Sequence, residues 1–517
     1  MTFEIVFVLL SLLGMMAALI ADKMRPGMVL FSVVVLFLCV GILTPKEMLE
    51  GFSNKGMITV ALLFLVSEGI RQSGTLGQVI KKLLPQGKTT VFKAQLRILP
   101  SVAFISAFLN NTPVVVIFAP IIKHWAKSVK LPATKFLIPL SYVTILGGIC
   151  TLIGTSTNLV VHGMILEAGY EGFTMFELGK VGIFIAIAGI IYLFIFSKRL
   201  LPDARPDTSV HDEEVEEGEK LHRVEAVLGA RFPGINKKLS DFNFQRHYGA
   251  EVKEIKTRNG QRYVDHLEDV VLREGDTLVV MADDTFIPTW GESSVFVLLT
   301  NGNDPDTSGK KKRWLALILL VLMIVGATVG ELPATKEMFP DIKLDMFFFV
   351  CITTIIMAWT NIFPARKYTK YISWDILITI ACAFAISKAM VNSGVADCVA
   401  GFIIGLSDDY GPHVLLAILF VITNLFTELI TNNAAAALAF PLALSISAQL
   451  GVSPTPFFVV ICMAASASFS TPIGYQTNLI VQGIGNYKFT DFVRIGLPLN
   501  IITFLISVIL IPLIWNF

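Results

Sequence analysis

Charged residues are scarce in this sequence. Asp, Glu, Lys and Arg make up only 16% of its 517 residues, whereas hydrophobic residues make up 54%. A soluble domain usually has about a quarter charged residues. The composition therefore excludes an ordinary soluble protein and indicates a polytopic membrane protein in contact with the lipid bilayer. The net charge of +1 argues neither for nor against nucleic-acid binding, and no nucleic-acid partner is predicted.

Cysteine pairs and catalytic clusters are missing as well. The six cysteines lie in apolar segments, without the CxxC or Cys/His spacing of a zinc site or a redox pair. The sequence has no nucleophile–base constellation, so no enzyme is predicted. The N-terminus lacks a basic region and a cleavage site before Lys23, so the apolar run 3–20 predicts a retained span.

Apolar segments occupy two halves of the chain, residues 1–198 and 314–517. Four segments are too long for one helix and contain Gly, Pro or Asn near the middle. This pattern is typical of re-entrant hairpins and broken helices, whose freed backbone groups need other partners. The predicted first hairpin, first broken helix, second hairpin and second broken helix are about 94–122, 132–166, 413–449 and 455–484.

Two short polar strings inside these segments are near copies of each other, at 154–163 and 474–483. A second polar break precedes each of them, at 110–113 and 431–434. Each cluster alone could be a helix cap or kink. Four clusters in two matched pairs instead favour a transporter that holds an ion and a substrate near the membrane midplane.

Basic residues predict the orientation of the chain. They cluster in alternate loops at 23–25, 71–97, 123–130 and 366–370, and the loops at 167–171 and 408–409 have none. The predicted location is a bacterial inner membrane. The positive-inside rule then places both termini outside and residues 199–313 in the cytoplasm. The two hairpins would enter from opposite faces, so the halves form a predicted inverted repeat.

The polar block divides into three parts. Residues 199–222 read as an acidic linker and 296–313 as a return linker to the membrane. Between them, residues 223–295 have a strand-like pattern and predict a small α+β domain. The predicted strands are 224–227, 251–256, 262–265 and 277–281, with turns at 259–260 and 274–276.

Three further side chains stand close to the polar breaks. Ser106 and Thr427 each precede a break by four residues, which puts their hydroxyls one helical turn away on the same face. Glu428 is an acid in an apolar limb, and such a group counts as functional by default. It could bind sodium, couple protons or accept backbone N–H groups, and the structural role is slightly favoured.

These motifs resemble the divalent anion:sodium symporters, the carriers of dicarboxylates and sulfate. Residues 427–433, Thr-Glu-Leu-Ile-Thr-Asn-Asn, are similar to that family's outer hairpin, and 110–112 to its inner tip. The resemblance covers essentially all of the membrane part. It implies an all-α fold with an inverted repeat, two hairpins, two broken helices and an elevator-type movement against a dimeric scaffold.

The resemblance also implies ligands. Two Na⁺ sites would use Ser106, Asn110, Asn111 and Gly154 in one half and Thr427, Thr431, Asn432 and Gly474 in the other. The anion would contact the two tips and the two loops through Asn111, Thr112, Thr157, Asn158, Asn432, Asn433, Tyr475, Gln476, Thr477 and Asn478.

Two departures from the family pattern bear on the substrate. Thr-Pro-Pro in the family's loops is replaced here by Thr-Ser-Thr and Tyr-Gln-Thr, and the second tip ends in Asn433. Tyr475 and Gln476 are bulky and would make the pocket smaller. A compact oxyanion fits a small pocket better than a four-carbon diacid, so sulfate is favoured over a dicarboxylate.

Residues 223–295 resemble the TrkA-C regulatory domain of potassium-transport proteins, with 274–280 similar to its closing strand. An unknown small ligand or a dimer contact is implied, and a passive insert is the alternative. A potassium channel is disfavoured because the sequence has no Thr-Val-Gly-Tyr-Gly filter. A sodium/proton antiporter or an arsenite-type permease on a related scaffold remains the alternative, although only Glu428 could titrate within the crossing.

Overall fold

The computed structural model describes most of the chain. The described residues are 3–21, 23–85, 87–203, 222–229, 231–257, 261–283, 286, 290, 295–300, 310–339, 342–405 and 411–517. Most of the predicted acidic linker, the turn at 259–260, the middle of the return linker and the loop residues 408–409 lie outside the described residues.

Within its described residues, the first half of the membrane part has ten α-helices. Proline opens α2 and α3, where its missing N–H costs nothing, and Gly41 ends α2 in the left-handed conformation. The helices are α1 (Phe3–Ala21), α2 (Pro26–Val40), α3 (Pro45–Glu50), α4 (Lys55–Gln72), α5 (Thr75–Leu83), α6 (Val91–Ser106), α7 (Asn111–Ser128), α8 (Leu137–Gly148), α9 (Ser156–Glu167) and α10 (Gly179–Leu200).

The second half has the same general plan. Its helices are α12 (Lys310–Gly330), α13 (Pro333–Met338), α14 (Met346–Trp359), α15 (Tyr368–Tyr371), α16 (Trp374–Asn392), α17 (Val395–Gly405), α18 (Gly411–Leu429), α19 (Asn432–Leu450), α20 (Thr455–Ser466), α21 (Gln476–Gly485) and α22 (Phe489–Ile514). Within the described ranges, eight helical stretches are long and apolar enough to cross a membrane. The prediction of a polytopic membrane protein is confirmed at this level.

Each of the four long segments is two helices with an interruption. In the first half the interruptions are residues 107–110, between α6 and α7, and residues 149–155, between α8 and α9. In the second half they are residues 430–431 and 467–475. An interruption in an apolar environment leaves helix ends that need other partners.

Helix packing follows the same pattern in the two halves. In the first half α8 packs against α6, α7 and α10, and in the second half α20 packs against α18, α19 and α22. Across the halves, α7 packs against α21, and the corresponding α19 packs against α9. The two sets of interrupted helices therefore interlock.

Residues 222–300 form an antiparallel sheet, which we call the sheet module. Its strands are β1 (His222–Leu228), β2 (Glu251–Lys256), β3 (Arg262–Tyr263), β4 (Thr277–Ala282) and β5 (Phe296–Thr300), in the order β3-β2-β4-β1-β5, with α11 (Phe244–Tyr248) before β2. An aromatic cluster fills its core, including Phe232, Phe242 and Tyr248. A small sheet gains most of its stability from such large side chains.

The predicted boundary of this domain is wrong at its C-terminal end. Residues 296–300 were expected in the return linker, but they form β5 and pair with β1. Pairing gives the backbone of β1 a partner on its second side, and Phe296 joins the aromatic core. The predicted strand 262–265 is also shorter, since β3 ends at Tyr263.

Candidate functional site

Four helix N-termini lie at the interruptions: α7 begins at Asn111, α9 at Ser156, α19 at Asn432 and α21 at Gln476. The residue that precedes each of these helices makes no side-chain capping hydrogen bond. The first-turn N–H groups therefore have no capping side chain as a partner, and the positive ends of four helix dipoles are available to an anion.

The N-termini meet in two pairs. Thr112 in α7 donates its hydroxyl to Oε1 of Gln476 in α21, at 3.3 Å. In the other pair, the hydroxyls of Ser156 and Thr157 donate to Oδ1 of Asn433 in α19, at 3.3 and 3.2 Å. The structure thus brings together residues from both predicted hairpin tips and both predicted loops.

Two buried asparagines stand behind the tips in equivalent surroundings. Ser106 donates to Oδ1 of Asn111 at 2.8 Å, and Thr427 donates to Oδ1 of Asn432 at 2.7 Å. Asn111 is fully buried and Asn432 is 8% exposed. Each pair presents two neutral oxygens, which are suitable ligands for a hard cation.

Tyr475 links the two halves. Its hydroxyl accepts a hydrogen bond from Nδ2 of Asn111 at 2.5 Å and lies 3.1 Å from Oγ1 of Thr155. The side chain of Asn432 also approaches this hydroxyl. The ring occupies space between the tips.

Two threonines that the sequence interpretation missed support the loops. Thr151 donates to the carbonyl of Ala107, and Thr471 donates to the carbonyl of Glu428 at 3.1 Å. Each hydroxyl also accepts from the N–H of the glycine three residues later, at 3.2 Å from Gly154 and 3.3 Å from the glycine of the second half. Extending the comparison of the two polar strings upstream by three residues would have found both threonines.

Asn158 and Asn478 hold their own loops. Asn158 donates to the carbonyl of Thr151 at 2.9 Å, and Asn478 donates to the carbonyl of Thr471 at 3.1 Å. Ser141 of α8, a third residue that the sequence did not reveal, donates to Oδ1 of Asn478 at 2.7 Å and is 2.9 Å from Oγ1 of Thr477. The observed hydrogen bonds of Asn158, Thr477 and Asn478 therefore stabilise the loops, and none of them is directed into the space between the tips.

Asn110 and Thr431 occupy the capping positions and do not hydrogen-bond to the buried asparagine pairs. Asn110 lines a narrow cavity with Ser67 of α4, Met323 of α12 and Ser156. The hydroxyl of Thr431 is buried and has no hydrogen-bond partner in the part of the chain that the structure describes. Among the predicted cation ligands, these two are the ones that the structure separates from the Ser106 and Thr427 hydroxyls.

Glu428 is tied to the second loop. Its Oε1 accepts from the N–H of Ser470 at 2.8 Å and from Nδ2 of Asn500 in α22 at 2.7 Å. These contacts fit the structural role slightly favoured by the sequence. Across the described residues, no group of three or more His, Cys, Asp or Glu side chains could hold a metal ion.

Interrupted helices around a buried, uncharged polar site are typical of membrane transporters. The chain belongs to the citrate transporter family, whose family model matches residues 16–446 and 338–517. The finer resemblance to divalent anion:sodium symporters and the TrkA-C resemblance of the sheet module stay predictions.

Two of the following three relatives are named a transporter or a cotransporter. The chain is similar to an uncharacterised transporter of Synechocystis sp., at 30% identity over 94% of this chain and 93% of that protein. It is 28% identical to a putative sulfur deprivation response regulator of Chlamydomonas reinhardtii, over 93% of this chain and 96% of that protein. It is 32% identical to the probable sodium/sulfate cotransporter 3 of the same alga, over 54% of this chain and 31% of that protein.

Proposed function

We propose that the protein is a sodium-coupled symporter of a small divalent oxyanion, with sulfate favoured over dicarboxylates. The observation that carries the proposal is the meeting of four uncapped helix N-termini around uncharged side chains. Helix N-termini attract an anion through backbone N–H groups and the helix dipole. Because each attraction is partial, the anion can also be released, as transport requires.

The cation sites would lie directly behind the anion. One proposed Na⁺ site uses Ser106, Asn111 and the Gly154 loop, and the other uses Thr427, Asn432 and the Gly474 loop. Each has a hydroxyl within 2.8 Å of an amide oxygen. Asn111 and Asn432 also open the helices that point at the anion, so binding of cation and anion would be coupled through these two residues.

The matched packing supports an inverted repeat and alternating access. Equivalent helices pack against each other within each half. Across the halves, α7 of the first hairpin packs against α21, and α19 of the second hairpin packs against α9. Inverted repeats are a common design of secondary transporters that work by alternating access. By the positive-inside rule both termini lie outside and the sheet module is cytoplasmic. An elevator-type movement, a homodimer and a TrkA-C-type ligand on the module complete the proposal.

The substrate preference depends on the size of the pocket. The Tyr475 hydroxyl bridges Asn111 and Thr155 and leaves little room between the tips. A sulfate relative with 32% identity over half of this chain supports the smaller anion. The family is named for citrate transport, which makes an organic acid the alternative substrate.

Uptake into proteoliposomes tests the proposal directly. We expect saturable uptake of radiolabelled sulfate that disappears when the inward Na⁺ gradient is replaced by K⁺. Succinate and citrate are measured in parallel at the same concentration. Uptake of an organic acid without sulfate would overturn the substrate assignment, and sulfate uptake that is unchanged without Na⁺ would overturn the coupling.

The Glu428→Gln variant separates symport from the proton-antiport alternative. Glutamine keeps an oxygen that can accept from Ser470 and Asn500 but cannot exchange a proton. We expect sodium-driven sulfate uptake to stay within about threefold of the wild type, because the amide oxygen keeps both hydrogen bonds that Oε1 of Glu428 accepts. The measurement is initial uptake at several pH values. Complete loss of uptake, or a lost pH response, would favour the antiporter.

A further inference from the structure

An ion pair connects the sheet module to α7, one of the helices of the candidate site. Lys123, near the end of α7, donates to both carboxylate oxygens of Glu225 in β1 at 3.1 Å, and Lys256 of β2 stands 3.5 Å away. Burial acts to raise the pKa of Glu225, but the two ammonium groups outweigh burial and lower this pKa to about 2. The carboxylate is therefore charged at neutral pH.

A turn of the module also lies against α21. A Cβ atom at Gly483 would be only 2.5 Å from Oγ1 of Thr277, and one at Gly275 would be 3.7 Å from the side chain of Leu479. Leu479 follows Gln476 by less than one helical turn. The turn at 274–276 thus reaches close to the candidate site from the side of the module.

The module is attached at the same time to helices that flank the site. Arg231 donates to the carbonyl of Ile372, just before α16, at 3.3 Å. Asn236 donates to the carbonyl of Lys23, between α1 and α2, at 3.2 Å. Since α2 and α16 pack against each other, these two contacts anchor the module to a second pair of helices, of which α16 also packs against α19.

We propose that the sheet module is a latch that holds α7 and α21 against the ends of α2 and α16. The latch rests on the proposed function, since only a transporter needs these groups of helices to move relative to each other. Any such movement has to break either the Lys123–Glu225 pair and the Thr277 contact, or the two anchoring hydrogen bonds. Opening of the latch is therefore a step of the transport cycle.

A designed disulfide tests whether the contact opens. A Cβ at Gly483 would be 3.8 Å from the Cβ of Thr277, which is within the range for a disulfide. In the double variant Gly483→Cys/Thr277→Cys, oxidation is expected to stop sulfate uptake, and dithiothreitol is expected to restore it. Each single-cysteine variant, treated in the same way, is the control. Wild-type uptake by the fully cross-linked protein would overturn the latch.

A second measurement does not depend on transport. Thr277 is fully buried, so the thiol of Thr277→Cys reacts with a maleimide only when the latch opens. Adding Glu225→Gln is expected to speed labelling about tenfold, because the charge of one partner in a half-buried ion pair is removed. Glu251→Gln is the matched control, since Glu251 pairs with Lys253 on the exposed surface of the module. Labelling of the six native cysteines in the protein without Thr277→Cys is measured as the background and subtracted.

The outcomes distinguish the two proposals. Equal labelling rates with Glu225→Gln and Glu251→Gln would overturn the latch and leave the transport function standing. The opposite outcome is that Glu225→Gln speeds labelling but the wild-type protein takes up none of the three anions. That result would overturn the transport function, and the contact between the module and the helices would still be one that opens. Size-exclusion profiles and melting temperatures of all variants exclude unfolding as the cause of faster labelling.

Discussion

Replacing Asn111 by alanine is expected to abolish measurable sulfate uptake, and replacing Asn432 is expected to do the same. Asn111 accepts from Ser106 and donates to Tyr475, and it is fully buried. Its loss leaves two buried polar groups without this partner, at a cost of about 1–3 kcal/mol each, so we expect a decrease of about 30-fold or more. The measurement is the initial rate of sodium-driven uptake per reconstituted protein.

A matched asparagine provides the control for both variants. Asn392 is exposed and donates to the carbonyl of Ile42 at 3.1 Å and to Glu47 at 3.0 Å, away from the interrupted helices. Asn392→Ala also removes two hydrogen bonds but is expected to keep wild-type uptake. All three variants should elute as monodisperse proteins. Wild-type flux in Asn111→Ala or Asn432→Ala would remove that residue from the site.

Adding one methyl group at Gly154 is expected to weaken the first proposed cation site. A Cβ atom there would lie 2.5 Å from the carbonyl oxygen of Gly148 and 3.0 Å from that of Ala107. Both are backbone atoms that cannot rotate away, so the loop has to move. Overpacking of this kind costs about 1–3 kcal/mol. We expect Gly154→Ala to raise the Na⁺ concentration for half-maximal uptake about tenfold or more, and to lower the melting temperature.

The control for this variant is a glycine with free space around it. A Cβ atom at Gly14 in α1 would have no heavy atom within 4 Å, so Gly14→Ala should leave uptake and melting temperature unchanged. The titration of sodium-driven sulfate uptake distinguishes a cation site from a general packing defect. An unchanged Na⁺ dependence in a destabilised Gly154→Ala protein would show that the loop does not bind the cation.

The positions of the interruptions could be predicted from the sequence because polar residues are expensive inside an apolar segment. The breaks at 110–113 and 431–434 and the strings at 154–163 and 474–483 contain or adjoin all four helix N-termini of the site. The strands of the sheet module were predictable for a similar reason, since turn residues separate short alternating runs. Its last strand was missed because 296–300 is a short apolar run beside a polar linker.

Contacts between distant segments could not be predicted in this way. Tyr475 was expected to reduce the pocket, but nothing in the local sequence indicates that its hydroxyl bonds to Asn111, 364 residues away. Ser141 lies in a continuous apolar helix and has no polar neighbour in sequence that marks it. Asn500 is an isolated amide in α22, and only packing shows that it contacts Glu428.

The amino-acid sequence by itself determined that this is an integral membrane protein. It also determined the positions at which the helices are interrupted and the uncharged side chains that lie at those interruptions. These properties follow from composition and from the cost of polar groups in lipid, which are local. Only the tertiary structure decided which breaks face each other, how Tyr475 joins the two halves and where the sheet module attaches. Those features depend on side-chain packing between segments hundreds of residues apart, and no local pattern records it.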